Sequence, residues 1–410
     1  MIFVNNKKMR KRGLISCLLL QGLMFLSHAQ VDSISRHLSI VERMLESKPG
    51  LSLAGYGEVH YNQPMDKNTY NQGSLDVHRM VMFLGYNFSS KTKFITEIEF
   101  EHAHEVDLEQ MFLQHRINQF IDLRLGLILI PMGIINEHHE PTLFNGVERP
   151  VIDNKICPTT WREIGGGITG NIMQASLKYQ LYVVNGLNGY DANGGVFSGS
   201  EALRAGRQSG AESYSFSPSL AGRIEFYGIR NLRAGISIYS GKSQSYAYKG
   251  LNKDSVELRR RADSSVVSIS MIGGDVRYVF EGIQLRGQVY YTMLGNTKQY
   301  NMFTAKDGKY NDLGSAMIGY YGEIGYNVFR PLSSMKSELI PFVRYEVYDT
   351  HYAVPDIISQ NKGYHNTIIT TGVTYSLTKG SVLKADVQLM KSKLDNSYHK
   401  ILNLGFGIMF

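Results

Sequence analysis

The 410-residue chain carries two cysteines, one tryptophan and ten prolines. Cys17 lies in the N-terminal apolar run and Cys157 stands alone in the rest, which excludes an intrachain disulfide framework. Few prolines leave room for long, unbroken strands. Beyond the N-terminus no apolar run approaches the ~18–20 residues that a membrane helix needs. The sequence also contains no GxSxG elbow and no HExxH, so the commonest local signatures of a hydrolase are missing. No cofactor fingerprint survives inspection. Gly165–Gly170 formally fits GxGxxG, but an alternating stretch follows it where a dinucleotide site needs a helix.

The N-terminus reads as a secretory signal. A basic run, MIFVNNKKMRKRG, precedes the apolar LISCLLLQGLMFL, and Ser27-His28-Ala29 supplies a small-residue cleavage site. Residues 1–29 are therefore expected to be removed. Leu14–Cys17 resembles a lipoprotein box, but the apolar core follows Cys17 instead of preceding it. Cleavage would remove five basic residues and no acid, taking the formal charge from +7 to +2. The basic balance is thus largely an export signal and not a sign of a nucleic-acid partner. Residues 30–50 follow, with Ile34, Leu38, Val41 and Leu45 at helical spacing before Pro49-Gly50. This predicts a short periplasmic amphipathic helix, lying on the base of the main domain or pairing with copies of itself as a trimerising coil.

From Leu51 to Phe410 the chain alternates almost throughout and is rich in Tyr, Phe, Gly and Thr. Alternation and turn residues mark sixteen strands, near 51–61, 76–89, 91–101, 106–118, 120–130, 163–171, 174–185, 216–228, 230–241, 265–280, 282–295, 315–329, 338–350, 365–378, 380–394 and 398–410. Connections after even strands are mostly short and those after odd strands mostly long, as in outer-membrane barrels. The fold class expected is all-β: a sixteen-stranded antiparallel transmembrane β-barrel in a Gram-negative outer membrane, touching lipid and lipopolysaccharide.

The last strand fixes the faces. Leu402, Leu404, Phe406, Ile408 and Phe410 share one side, and Asn403, Gly405 and Gly407 the other. Lipid satisfies the first side with no second sheet over it. The same tracing turns Arg79, Arg116, Arg124, Arg223, Arg233, Arg277, Arg286 and Arg344 inward, with Lys178 and Lys384. Glu58, Glu97, Glu99, Glu101, Asp122, Glu225, Asp275, Glu323, Glu346 and Asp386 join them. A charge facing lipid at mid-depth costs ~2–4 kcal/mol, so this set is expected to line a wet pore. Two runs, Glu101–Glu105 (EHAHE) and Glu137–Glu140 (EHHE), carry the residue types that bind zinc. With no helix fixing their spacing they read as solvated loop residues, and no metal is assigned. Arg259-Arg260-Arg261 reads as an exposed loop.

Residues 129–170 break the alternation and hold the only Trp and four of the ten prolines. This insertion either rises into solvent or folds back into the barrel, and the second is expected, with a constriction loop over about 131–162. Pro131, Gly133, Asn136, His139, Pro141, Phe144, Gly146, Val147, Glu148, Arg149, Pro150, Pro158, Thr160, Trp161, Arg162 and Glu163 resemble the pattern of the phosphate-selective porin O and P family, in its Bacteroidetes-type version. The resemblance implies a homotrimer of channels, each narrowed by this loop. Asn136, Glu137, His139, Glu140, Glu148, Arg149, Arg162 and Glu163 are the candidate constriction residues, with Glu148, Arg149 and Arg162 foremost. Inward bases and acids are matched in number, so phosphate selectivity does not follow from the resemblance. The function expected is passive diffusion of small hydrophilic solutes or ions, with no chemistry. An outer-membrane hydrolase using the His-rich loops, or a plugged surface-binding barrel, are the alternatives.

Overall fold

The computed structural model describes residues 39–46, 48–66, 72–252, 254–332 and 334–410. The expected signal peptide and the first half of the amphipathic stripe, with Ile34 and Leu38, lie outside the described residues.

Sixteen antiparallel strands close into one barrel. They are β1 (Gly50–Pro64), β2 (Ser74–Asn87), β3 (Thr92–Glu101), β4 (Glu105–Arg116), β5 (Asp122–Leu129), β6 (Arg162–Ile172), β7 (Leu177–Val184) and β8 (Ser219–Phe226). The second half comprises β9 (Leu232–Lys242), β10 (Ser268–Phe280), β11 (Ile283–Gly295), β12 (Ala316–Tyr326), β13 (Glu338–Ala353), β14 (His365–Thr378), β15 (Ser381–Ser392) and β16 (His399–Met409). Each falls on a stretch that the alternation marks, with ends displaced by a few residues. Every strand pairs with its sequence neighbours, and β1 meets β16 from Tyr56↔Met409 to Pro64↔Ile401. Gly55 and Phe410 extend this seam with reciprocal backbone bonds of 3.1 and 2.9 Å.

The faces follow the period of two. On β2, Met80, Met82, Leu84 and Tyr86 are exposed while Val81 and Phe83 are buried. On β16, Leu404, Phe406 and Ile408 are exposed and Asn403 is buried. Such an apolar belt would be a liability in water and is at home in lipid. The glycine run of β6 has a packing reason: a Cβ on Gly165 or Gly167 would lie 2.2 or 2.0 Å from a carbonyl of β7.

The lumen is not the open, wet channel that the strand count suggests. Residues 130–161 cross it from β5 to the far wall, and α1 (Ile40–Glu46) enters it from the short-turn end. Ile40 and Met44 of α1 are buried, against the expectation of a helix lying on the barrel base. Many inward charges are buried in turn. Arg79, Arg124, Arg223, Arg344, Glu97 and Glu99 are all under 10 % exposed. The loop and α1 cover much of their surface, and what stays accessible borders separate cavities instead of one open channel. Lys178, Arg233, Arg277 and Arg286 are partly exposed, and Arg116 is half-exposed at the short-turn rim with Asp122 at 3.1 Å.

Candidate functional site: the lumen and its constriction

The crossing loop begins and ends at a clasp. Asn136 Nδ2 donates to the carbonyls of Ile130 (2.7 Å) and Trp161 (2.9 Å), and its Oδ1 accepts from the Trp161 N–H at 2.7 Å. Trp161 Nε1 donates to Glu163 at 2.8 Å, and Glu163 also accepts from Tyr239 and from the Gly186 N–H. Asn136 and Glu163 therefore shape the neck of the loop; they do not border the opening.

The far wall holds the loop by its backbone. Gln288 accepts from the Ile134 N–H at 2.6 Å, Asp386 from Val147 at 2.7 Å and Glu346 from Val151 at 2.7 Å. Arg344 donates to the carbonyls of Asn145 and Glu148. A loop buried this deeply needs partners for its peptide groups, and Gln288 with the inward charges of β13 and β15 supplies them. The loop's one turn of helix, α2 (Ile152–Lys155), packs here. Its Asp153 accepts from Tyr290 (2.7 Å) and Gln288 (2.8 Å). Burial nonetheless pushes the Asp153 carboxyl up to about 7. Cys157 beside it is buried and free.

Below the loop, α1 fills the short-turn half. Its Ile40 N–H donates to Glu140 at 2.8 Å, and Glu42 pairs with Lys178 at 2.6 Å. Burial opposes the charge on Glu42, but Lys178 and more distant cations hold its carboxyl down at about 2. Glu137 accepts from Gln180 in the same region. Glu137 and Glu140 thus serve the contact between loop, helix and wall. Arg233 and Arg277 converge with Arg223 on Glu225, at 3.2, 2.8 and 3.1 Å. Arg286 stands 3.8 Å from Glu323. Arg124 stacks 4.4 Å above the Phe112 ring and bonds Gln114.

Above the loop lies a cavity of about 560 Å³, and Glu148, Arg149 and Arg162 are among the residues that border it. One wall carries Glu58, His60, His78, Arg79, Glu99 and Glu101 from β1 to β3. Glu58 bonds Arg79 at 2.7 Å and lies 3.3 Å from His60. Glu148 accepts from Asn62 and contacts His60; burial opposes its charge, yet these partners hold its carboxyl down at about 2. The other wall is basic: Arg149, Lys155, Arg162, Arg204 and Arg207. Arg162 pairs with Asp107 at 3.2 Å and Lys155 with Glu201 at 3.6 Å. Arg204 and Arg207 bond only the carbonyls of Thr159 and Thr160, and Arg149 Nε and Nη2 have no hydrogen-bond partner. Among the described residues, no ion pair offsets these three guanidinium groups.

Sequence reasoning missed Arg204, Arg207, His60 and His78. The two arginines sit three apart in the loop that follows β7, which alternation alone marks as an outer loop. The His-rich runs do not meet. His102 lies at the β3–β4 turn with Asp76 at 2.8 Å, and His104 is exposed there. His139 lies inside, 3.0 Å from Glu109. Arg259–Arg261 form part of an exposed helix, α3 (Val256–Asp263).

Compared with solved structures, the chain shares its fold with outer-membrane porins. It superposes on an anion-selective porin from Comamonas acidovorans with a TM-score of 0.57 at 14 % identity, covering 88 % of this chain and 100 % of that one. The outer-membrane channel DcaP of Acinetobacter baumannii gives 0.57 at 10 %, over 89 % and 99 %. OmpF of Salmonella typhi gives 0.51 at 10 %, over 88 % and 97 %. The molecule has the closed sixteen-stranded barrel of that class. In sequence, the chain is 33 % identical over 372 residues to an uncharacterized protein of Aquifex aeolicus, covering 87 % of this chain and 80 % of the relative. It belongs to the same family as that protein. No family model matches the chain.

Proposed function

We propose that the protein is an outer-membrane porin for small hydrophilic anions. Residues 1–29 would direct export, residues 30–50 would stay on the periplasmic side with α1 reaching up into the barrel, and residues 51–410 would form the channel. The observation that carries the anion preference is the cavity wall on which Arg149, Arg204 and Arg207 stand without an ion pair among the described residues. Low-dielectric walls magnify each uncompensated charge; Arg79, His60 and Asn62 already engage Glu58, Glu99 and Glu148, so the three guanidinium groups outweigh the remaining Glu101. The anion-selective porin among the structural neighbours and the loop's resemblance to the phosphate-selective porin O and P family agree with this reading. A homotrimer in lipid and lipopolysaccharide is the assembly proposed, with no catalysis and no cofactor.

The experiment is current through purified protein in a planar bilayer under a potassium chloride gradient, then with added phosphate. An anion-selective reversal potential, with phosphate reducing the chloride current, supports the proposal. A cation-selective reversal potential sinks it. A second reading rests on the filling of the lumen by α1 and the loop: a plugged barrel that binds at its surface. Folded protein with no current in the bilayer would favour that one.

A further inference from the structure

The inward wall of β3 and β4 holds a side-chain cluster that solute passage does not use. Glu97, Glu109 and His139 are buried to within 3 % of full enclosure. They meet because β4 carries a bulge. Gln110 faces Glu97 and Leu108 faces Ile98, which leaves Glu109 as the extra residue and turns it inward beside Gln110. Bulges re-aim side chains in this way and gather near functional sites.

We propose that Glu97, Glu109 and His139 form a binding site for one divalent first-row transition ion, with zinc as the probe. His139 Nε2 lies 3.0 Å from Glu109 Oε2 and 3.6 Å from Glu97 Oε1. Ligand bonds of ~2.0–2.2 Å around a tetrahedral ion place neighbouring donor atoms ~3.4 Å apart, so the spacing suits an ion among them. The three donor atoms all lie within 4.8 Å of one another. The surroundings orient the donors. His139 Nδ1 faces the Asn136 carbonyl at 3.3 Å, and a carbonyl only accepts, so Nδ1 keeps its proton; Nε2, which now donates to Glu109 at 3.0 Å, is the nitrogen that an ion would bind once it displaces that proton. Gln110 Nε2 holds the other oxygen of Glu97 at 2.6 Å. Glu97 Oε1, Glu109 Oε1 and the buried Tyr56 hydroxyl have no hydrogen bond.

Charge completes the case. Arg79 is engaged by Glu58 at 2.7 Å and Glu99 at 3.4 Å. Glu97 and Glu109 are left facing an imidazole whose single positive charge, if protonated, offsets only one of them. A dication neutralises both carboxylates: it takes the place of the Nε2 proton, which is released to solvent, and bonds the imidazole nitrogen and the carboxylate oxygens in place of the hydrogen bond between them. Two oxygens and one imidazole suit zinc or a neighbouring ion better than calcium or magnesium. Bound there, the ion would tie the crossing loop to β3 and β4 at one point.

The test is to fold the protein with equimolar zinc, dialyse away free ion and measure metal per chain. One retained zinc is expected, lost in Glu109→Gln and His139→Asn and kept in Asp76→Asn, which removes the other His-carboxylate group at the β3–β4 turn. Failure of wild-type protein to retain zinc overturns the proposal, whatever the variants do. So does zinc that leaves with Asp76→Asn. If the two site variants do not fold, cobalt in the Asp76→Asn background decides: visible absorption bands of a four-coordinate ion support the site, and their absence refutes it.

Discussion

Asn136 imitates a strand for Trp161. Its side-chain amide both donates to the Trp161 carbonyl (2.9 Å) and accepts from the Trp161 N–H (2.7 Å), pinning two points 25 residues apart. An unsatisfied buried backbone group costs ~1–3 kcal/mol. Asn136→Ala is therefore expected to destabilise the loop by a few kcal/mol while the barrel stays closed. Trp161 is the sole tryptophan, so its emission reports the loop directly. Red-shifted emission with unchanged β content is the expected result, and native emission would contradict the clasp.

Arg149→Ala should lower anion selectivity without altering assembly. Its guanidinium borders the cavity and has two nitrogens with no partner, so removing it breaks no described ion pair. A several-fold fall in the anion-to-cation permeability ratio is expected from the reversal potential, with normal heat-modifiable migration on gels. An unchanged reversal potential would place the filter elsewhere.

The helix α1 occupies lumen volume, so deleting residues 39–46 should raise single-channel conductance. The Glu42–Lys178 pair offers a finer probe. Its side chains are partly exposed, and such pairs contribute no more than about 1 kcal/mol. Glu42→Lys or Lys178→Glu alone should increase the frequency of high-conductance openings, and the double exchange should restore the native pattern. Additive effects in the double variant would mean that the pair does not hold the helix.

Asp153 sets a pH dependence. Its ordinary carboxyl value is 3.8 and burial in the loop raises it to about 7. Between those values the folded state binds a proton that the unfolded state has released. Stability therefore falls as pH rises from about 4 to about 7 and is level above that. Asp153→Asn, which keeps an acceptor for Tyr290 and Gln288, should remove this slope and gain stability relative to wild type at pH 8. Thermal melts at pH 5 and pH 8 measure it; parallel curves for both proteins would refute the assignment.

The barrel was legible because its rule is local. A period of two assigns Leu404 or Asn403 to a face from neighbouring residues alone, and lipid makes the rule strict. The loop's inward fold was legible from its broken alternation, and Glu148, Arg149 and Arg162 are among the residues that border the cavity. The role of Asn136 was not, because it depends on a partner 25 residues away. Arg344 and Glu346 read as pore lining, yet they hold the loop backbone; period two reports direction and not what lies opposite. Glu109 was hidden for a different reason. A bulge shifts the register by one residue, and simple alternation turns it toward lipid.

The seam between Gly55 and Phe410 joins residues 355 positions apart, the first strand to the last. Without the pairing of β16 with β1, the sheet has two free edges and the interior has a side door. The loop grips strands β11 to β15, and α1 is attached three residues ahead of β1, so the contents of the lumen are tied to the same wall that the seam closes. Loss of Phe410 alone would leave the seam one residue short at the short-turn rim, beside the mouth through which α1 enters.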